Sequence, residues 1–253
     1  MSNPPAELVL LLHGQPGGAR DWDRVSALIA DRVRPLAIDR PGWRRGSRPT
    51  DLAGNAADAL RALDQAGARR ATVVGHSLGA AVAAWLAAQH PERVDRLVLA
   101  APAANCDSLV PVDRWMALPL AGELVGAPAM GAAGLALSVP GARRAVAALL
   151  AVDERYLATM ASMLLRPAAW RAFAADQRAL VRGLPALEAR LRHIAAPTTI
   201  VAGSADRIVP LSSARALARS IPGAELVVLP GAGHLLVQRD PERLADIIAR
   251  RSG

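Results

Sequence analysis

Six short apolar runs constrain this chain more than any other feature: Leu8–Leu12, Pro35–Asp39, Ala71–Gly75, Arg96–Ala100, Thr198–Ala202 and Leu226–Leu229. Each is nearly continuous rather than alternating. That is the pattern of a strand buried on both faces, found in parallel sheets sandwiched between helices. Helical patterns fill the intervals. Asp51–Ala66 carries Leu52, Ala56, Leu60 and Leu63 on one face, and Leu78–Gln89 is small and apolar, suited to close packing on a sheet. Ser212–Ser220 and Pro241–Arg251 follow the last two runs, the latter opened by a capping Asp240 and a Pro in the first turn. This rhythm predicts an α/β fold with a mostly parallel, doubly wound sheet of about six strands.

The rhythm breaks between residues 104 and 193, where no strand pattern is present. Helical patches at Ala142–Ala151, Glu154–Leu164 and Ala168–Val181 suggest a helical insertion. The expected organisation is one core built from residues 1–103 and 194–253, with residues 104–193 inserted as a cap. Within it, Trp115–Val139 is the one stretch that invites comparison with a membrane span. Glu123, Pro119 and Pro128 interrupt it, so it is expected to be a buried or pocket-lining segment.

Composition narrows the partners. The net charge of +8 comes entirely from arginine, since none of the 30 basic residues is lysine. These arginines are scattered among acidic residues and polar helix faces, without a basic tail or aromatic interleaving, so a nucleic-acid partner is not expected. The single cysteine, Cys106, allows no internal disulfide. With no secretory leader pattern at the N-terminus, a cytoplasmic location is expected. Neither a metal-ligand cluster nor a dinucleotide fingerprint is present, so no cofactor is expected.

The chemistry starts at Gly75-His76-Ser77-Leu78-Gly79, which directly follows one apolar run and directly precedes a helix. Strand, sharp turn and helix are the context that gives G-x-S-x-G its meaning: the serine is lifted to the carboxyl edge of the sheet at a helix N-terminus. A serine hydroxyl needs a base. Of five histidines, His13 is placed to brace the first loop, and His76 sits within the turn with its side chain expected to point away from the attacking oxygen. His90 ends a helix, and His193 closes the insertion. His234, in Gly231-Ala232-Gly233-His234 after the last run, alone lies at the same sheet edge as Ser77. Asp206, after the penultimate run, is the expected carboxylate partner, with Asp107 as a weaker rival. The loop His13-Gly14-Gln15-Pro16-Gly17-Gly18 follows the first run. Its Gln15 N–H, with the N–H of Leu78, is the expected donor pair for an oxyanion.

Taken together, Leu11-Leu12-His13-Gly14-Gln15-Pro16-Gly17, Asp39-Arg40-Pro41-Gly42, Gly75-His76-Ser77-Leu78-Gly79, Asp206 and Gly233-His234 resemble the α/β-hydrolase superfamily, nearest to its small capped esterases and carbon–carbon hydrolases. The resemblance spans Leu8 to Arg251. It implies an eight-stranded sheet with a helical cap inserted after the sixth strand. The first two family strands have no room before Leu8, leaving six. The family's Pro-Gly-x-Gly-x-Ser loop is lengthened and more basic here, as Pro41-Gly42-Trp43-Arg44-Arg45-Gly46-Ser47.

Ser77, His234 and Asp206 thus predict hydrolysis of a small hydrophobic ester through an acyl-serine intermediate. The same triad could instead cleave a carbon–carbon bond, a thioester or a lactone. A dioate substrate would need an arginine anchor, for which Arg114, Arg143, Arg144 and Arg171 are the cap's candidates. A reading of another class keeps the triad in a low-turnover ligand-binding or sensing protein. An apolar cap and open sheet edges leave room for a homodimer.

Overall fold

The computed structural model describes residues 7–118, 120 and 122–250. Six strands, β1 (Leu8–Leu12), β2 (Arg34–Ile38), β3 (Ala71–His76), β4 (Val94–Ala100), β5 (Thr198–Gly203) and β6 (Glu225–Leu229), form one sheet in the order β2-β1-β3-β4-β5-β6. All neighbouring pairs are parallel. The strands fall where their apolar runs place them, to within two residues.

The sheet is covered on both faces, which is why its strands can be apolar throughout. Along β1, Leu8, Leu10 and Leu12 join one core with helices α2 (Leu52–Gln65), α3 (Leu78–Gln89) and α9 (Leu211–Ser220). Val9 and Leu11 point the other way, into a second core with α1 (Asp23–Ile29), α10 (Leu236–Arg239) and α11 (Pro241–Ala249). Helix α1 has no counterpart in the sequence pattern. It is only seven residues long and buries just Val25 and Ile29, too short a span to print a helical period.

Between β4 and β5 the chain is helical. It forms α4 (Pro111–Met116), a π-helical turn (Gly122–Gly126), α5 (Ala127–Ser138), α6 (Pro140–Leu150), α7 (Glu154–Leu164) and α8 (Pro167–Glu188). Helix α8 runs beyond the expected Val181, through Gly183 and Pro185. Leu180, Leu184 and Leu187 pack into the core beside α3, so burial outweighs the helix-breaking tendency of those two residues. The segment Trp115–Val139 is mostly exposed rather than buried, which corrects part of the expectation, while Leu137 does line a cavity. Trp115, Leu118, Leu120, Leu124 and Leu135 face solvent, and in α5 only Gly134 is buried. Helix α5 is apolar all round, and a one-layer cap can cover only one stripe of it. Among the described residues no single helix is long and apolar enough to cross a membrane, though the bent pair Glu123–Ser138 and Pro140–Leu150 meets that length and composition jointly.

The chain leaves β1 for β2 on one side and returns to β3 on the other. The carboxyl ends of β1 and β3 therefore flank the sheet's topological switch point, where open α/β sheets bind their ligands.

Candidate active site

Strand β3 ends at His76 and α3 begins at Leu78, so Ser77 alone makes the turn. Its backbone sits at φ 54°, ψ −121°, a conformation that costs a non-glycine residue about 1–3 kcal/mol. The surroundings hold it there: Ser77 N–H donates to Ala100 O at 3.0 Å, and Ala103 N–H donates to Ser77 O at 3.2 Å. Both motif glycines are required by contact. A Cβ on Gly75 would collide with the carbonyl of Gly79, and one on Gly79 with the carbonyl of Leu12.

His234 lies in the loop after β6. Its Nε2 stands 3.0 Å from Ser77 Oγ, and its Nδ1 stands 2.8 Å from Asp206 Oδ2. The other carboxylate oxygen accepts from the N–H groups of Ile208 (2.8 Å) and Val209 (2.9 Å). A carboxylate only accepts, so Nδ1 carries the proton and the Nε2 lone pair faces the serine. Burial alone would raise the Asp206 carboxyl, but the hydrogen bond from His234 and the two backbone donors hold it below its ordinary value. The rival Asp107 is exposed in a 3-10 turn.

The other histidines divide cleanly. His193 is exposed, and His90 ends α3 beside Glu92. His76 packs beside His234. Its ring centroid lies 5.1 Å from that of His234, and its Nε2–H donates to the His234 carbonyl at 2.9 Å. Burial, with His234 adjacent, lowers its pKa to about 3, so it braces the histidine loop as a neutral ring. His13 braces the first loop as expected. Its Nε2 accepts from Arg40 N–H at 3.0 Å, which leaves Nδ1–H to donate to Gly14 O at 2.7 Å. Burial and the Arg40 charge keep this ring far below its ordinary pKa, hence neutral.

Gly14 and Gln15 follow β1 and pass beside Ser77; a Cβ added at Gly14 would stand 3.0 Å from Ser77 Cβ. Leu78 is the first residue of α3, so its N–H belongs to the unpaired helix terminus next to Ser77. Sequence reasoning missed the residues behind this loop. Arg40 and Asp176 form a fully buried ion pair at 2.8 Å. The side chain of Gln15 donates from Nε2 to Gln177 Oε1 at 2.6 Å. Arg40 lies in the Asp39-Arg40-Pro41-Gly42 motif, a signal that was available; Asp176 and Gln177, in the middle of α8, gave none.

A cavity of about 280 Å³ opens at His234. Gly14, Gln15, His76 and Ile208 line its core side, and Leu137, Val146, Leu150, Leu157, Met160 and Leu164 line its cap side. Asp21 and Tyr156 form the wall it shares with two outer clefts. Burial, reinforced by Asp39 and Asp23 against the Gly18 N–H bond, raises the Asp21 carboxyl to about 7. None of the proposed anchors Arg114, Arg143, Arg144 and Arg171 lines this cavity. Arg143 and Arg144 pair with Glu154, and Arg114 and Arg171 are exposed.

A parallel sheet with a helical cap after β4, and a serine on a strand–turn–helix elbow at the switch point, define the class as an α/β hydrolase. The model of the alpha/beta hydrolase family matches residues 9–247, and the chain belongs to that family. It is 31% identical over 260 residues to an uncharacterized protein of Mycobacterium tuberculosis, covering 96% of this chain and 74% of the relative. It is 30% identical over 240 residues to the 2-hydroxy-6-oxononadienedioate/2-hydroxy-6-oxononatrienedioate hydrolase 2 of Pseudomonas putida, covering 90% and 82%. Among solved structures, a hydrolase from Pseudomonas aeruginosa superposes with a TM-score of 0.75 at 29% identity, covering 98% of this chain and 90% of that one. The enol-lactonase from Burkholderia xenovorans shares the fold at a TM-score of 0.78 and 21% identity, covering 98% and 90%. The protein is therefore a hydrolase.

Proposed function

We propose that this hydrolase cleaves carboxylic esters of small hydrophobic substrates through an acyl-serine intermediate. One observation carries the reading: the continuous relay from Asp206 Oδ2 through His234 to Ser77 Oγ, at 2.8 and 3.0 Å, beside an apolar cavity. His234 takes the hydroxyl proton as Ser77 Oγ attacks the ester carbonyl. The oxygen of the tetrahedral intermediate, now negative, is received by the N–H groups of Gln15 and Leu78. His234 then protonates the departing alcohol. A water, deprotonated by the same imidazole, releases the acid and restores the serine. Asp206 keeps a proton on Nδ1 throughout and stabilises the imidazolium when Nε2 is also protonated.

The Pseudomonas putida relative is named for a dioate, which raises carbon–carbon cleavage as a second reading. The cavity supports it less well. Among the described residues no arginine lines it, and Asp21 in its wall would repel a substrate carboxylate whenever it is ionised. The test is a panel of p-nitrophenyl esters of graded chain length, with a thioester, a lactone and a vinylogous diketone, run on the wild type and Ser77→Ala. The ester reading predicts turnover of uncharged short to medium esters that disappears in Ser77→Ala. Preferential turnover of the dianionic diketone would overturn it, and full activity of Ser77→Ala would overturn the mechanism.

A further inference from the structure

We infer that Arg40 and Asp176 are positioning residues that aim the Gln15 N–H at the oxyanion, making helix α8 of the cap a fixed part of the catalytic machinery. The inference rests on the acyl-serine reading above and extends it to residues outside the triad and the donor pair.

The carbonyl of Gly14 and the N–H of Gln15 belong to one planar trans peptide unit, so they point in opposite directions. Whatever grips the carbonyl therefore aims the N–H. Two donors grip it: His13 Nδ1–H at 2.7 Å and Arg40 Nη2 at 3.0 Å. The first is set by the Arg40 backbone N–H, which fixes the His13 tautomer by donating to Nε2, and the second comes from the Arg40 side chain itself. Arg40 also fastens the preceding peptide, donating from Nε to His13 O at 2.9 Å.

The guanidinium can do this because it is itself immobilised. Nη1 donates to Asn55 Oδ1 (3.2 Å) and Asp176 Oδ1 (3.3 Å), and Nη2 donates to Asp176 Oδ2 at 2.8 Å. With the bonds to His13 and Gly14, all five N–H groups have acceptors. Asp176 Oδ2 additionally accepts from Trp43 Nε1 at 2.8 Å. Both charged side chains are 1% exposed. A fully buried ion pair often adds no stability over apolar residues of similar volume, so its presence points to a geometric role. The next residue of α8 repeats the grip, because Gln177 Oε1 accepts from the Gln15 side chain. Gln177 Nε2 donates to Asp113 Oδ1 at 3.0 Å, which fixes the direction of that amide chain.

The test compares wild type, Asp176→Asn and the double variant R40M/D176L. The double variant removes both charges together and so avoids leaving one buried and unpaired. Each is assayed for p-nitrophenyl butyrate hydrolysis across pH. Each is also inhibited by a trifluoromethyl ketone, which forms an oxyanion adduct with the serine, and by the matching methyl ketone, which does not accumulate one. Circular dichroism and thermal melts confirm folding. A positioning role predicts that kcat in the folded double variant falls about 100-fold, as when one oxyanion donor is lost, while KM changes little. It also predicts that trifluoromethyl ketone inhibition weakens in parallel, methyl ketone inhibition holds, and the pH profile keeps its shape. A folded double variant with wild-type kcat overturns the inference. So does equal weakening of KM and of both ketones, which would mark a general distortion of the cavity. A fully active Ser77→Ala overturns the acyl-serine reading itself, and this inference with it.

Discussion

Asp206→Asn is the substitution whose outcome the geometry fixes most tightly. Asp206 Oδ1 accepts two backbone N–H groups, from Ile208 and Val209, so in the variant this position must remain an oxygen. The amide nitrogen is forced into the place of Oδ2, 2.8 Å from His234 Nδ1. It arrives there as a donor. The ring must then present its Nδ1 lone pair to the amide and carry its proton on Nε2, the nitrogen 3.0 Å from Ser77 Oγ. The base is occupied while the fold is nearly unchanged. The wrong tautomer costs about 10⁴-fold in kcat in the serine protease where it has been measured, equivalent to about 5 kcal/mol of transition-state stabilisation. The same loss is expected here. The assay is kcat for p-nitrophenyl butyrate, with the fluorophosphonate labelling rate of Ser77 falling in parallel and the thermal midpoint recorded as a control. An Asp206→Asn enzyme within tenfold of wild type would show that the His234 base does not depend on its carboxylate, and the proposed relay would fall.

Further expectations concern the wall and the core. Asp21 has its carboxyl raised from 3.8 to about 7, so it is protonated more readily in the folded chain than in the unfolded one. Its contribution is complete below pH 4 and is lost as pH rises towards 7. Asp21→Asn should therefore gain on the order of 2–4 kcal/mol over wild type at pH 8 but little at pH 4, read by urea unfolding at both values; an equal gain at both would exclude the effect. Leu86→Ala empties a fully buried position in α3 and should destabilise by about 2–5 kcal/mol in the same assay, with m unchanged. Gly79→Ala drives a methyl into the Leu12 carbonyl and should abolish soluble expression or labelling by the probe; a folded, active variant would show that the elbow tolerates far more slack than its contacts suggest.

How much could be read without coordinates depended on the range of the signal. The strands were readable because β1, β3 and β4 are buried on both faces along most of their length, so their runs are apolar apart from Thr72 and Arg96. That Ser77, Asp206 and His234 meet was readable because each follows a different strand at one sheet edge, and parallel strands bring such edges together. Helix α1 was too short to show a period, and α8 ran past Gly183 and Pro185 because core leucines held it. The exposure of Leu120, Leu124 and Leu135 was hidden for the opposite reason: an all-apolar stretch does not say which side is covered. The Arg40–Asp176 pair was out of reach, since 136 residues separate its partners and the cap's docking onto the core sets their meeting.

On the proposed mechanism Ser77 becomes acylated during turnover. Acid quenching of the enzyme during hydrolysis of a p-nitrophenyl ester, followed by peptide mass spectrometry, tests it directly. The peptide carrying Ser77 should gain the mass of one acyl group, and the adduct should vanish once substrate is exhausted. Continued turnover with that peptide unmodified, or an adduct on another side chain, would rule out an acyl-Ser77 intermediate.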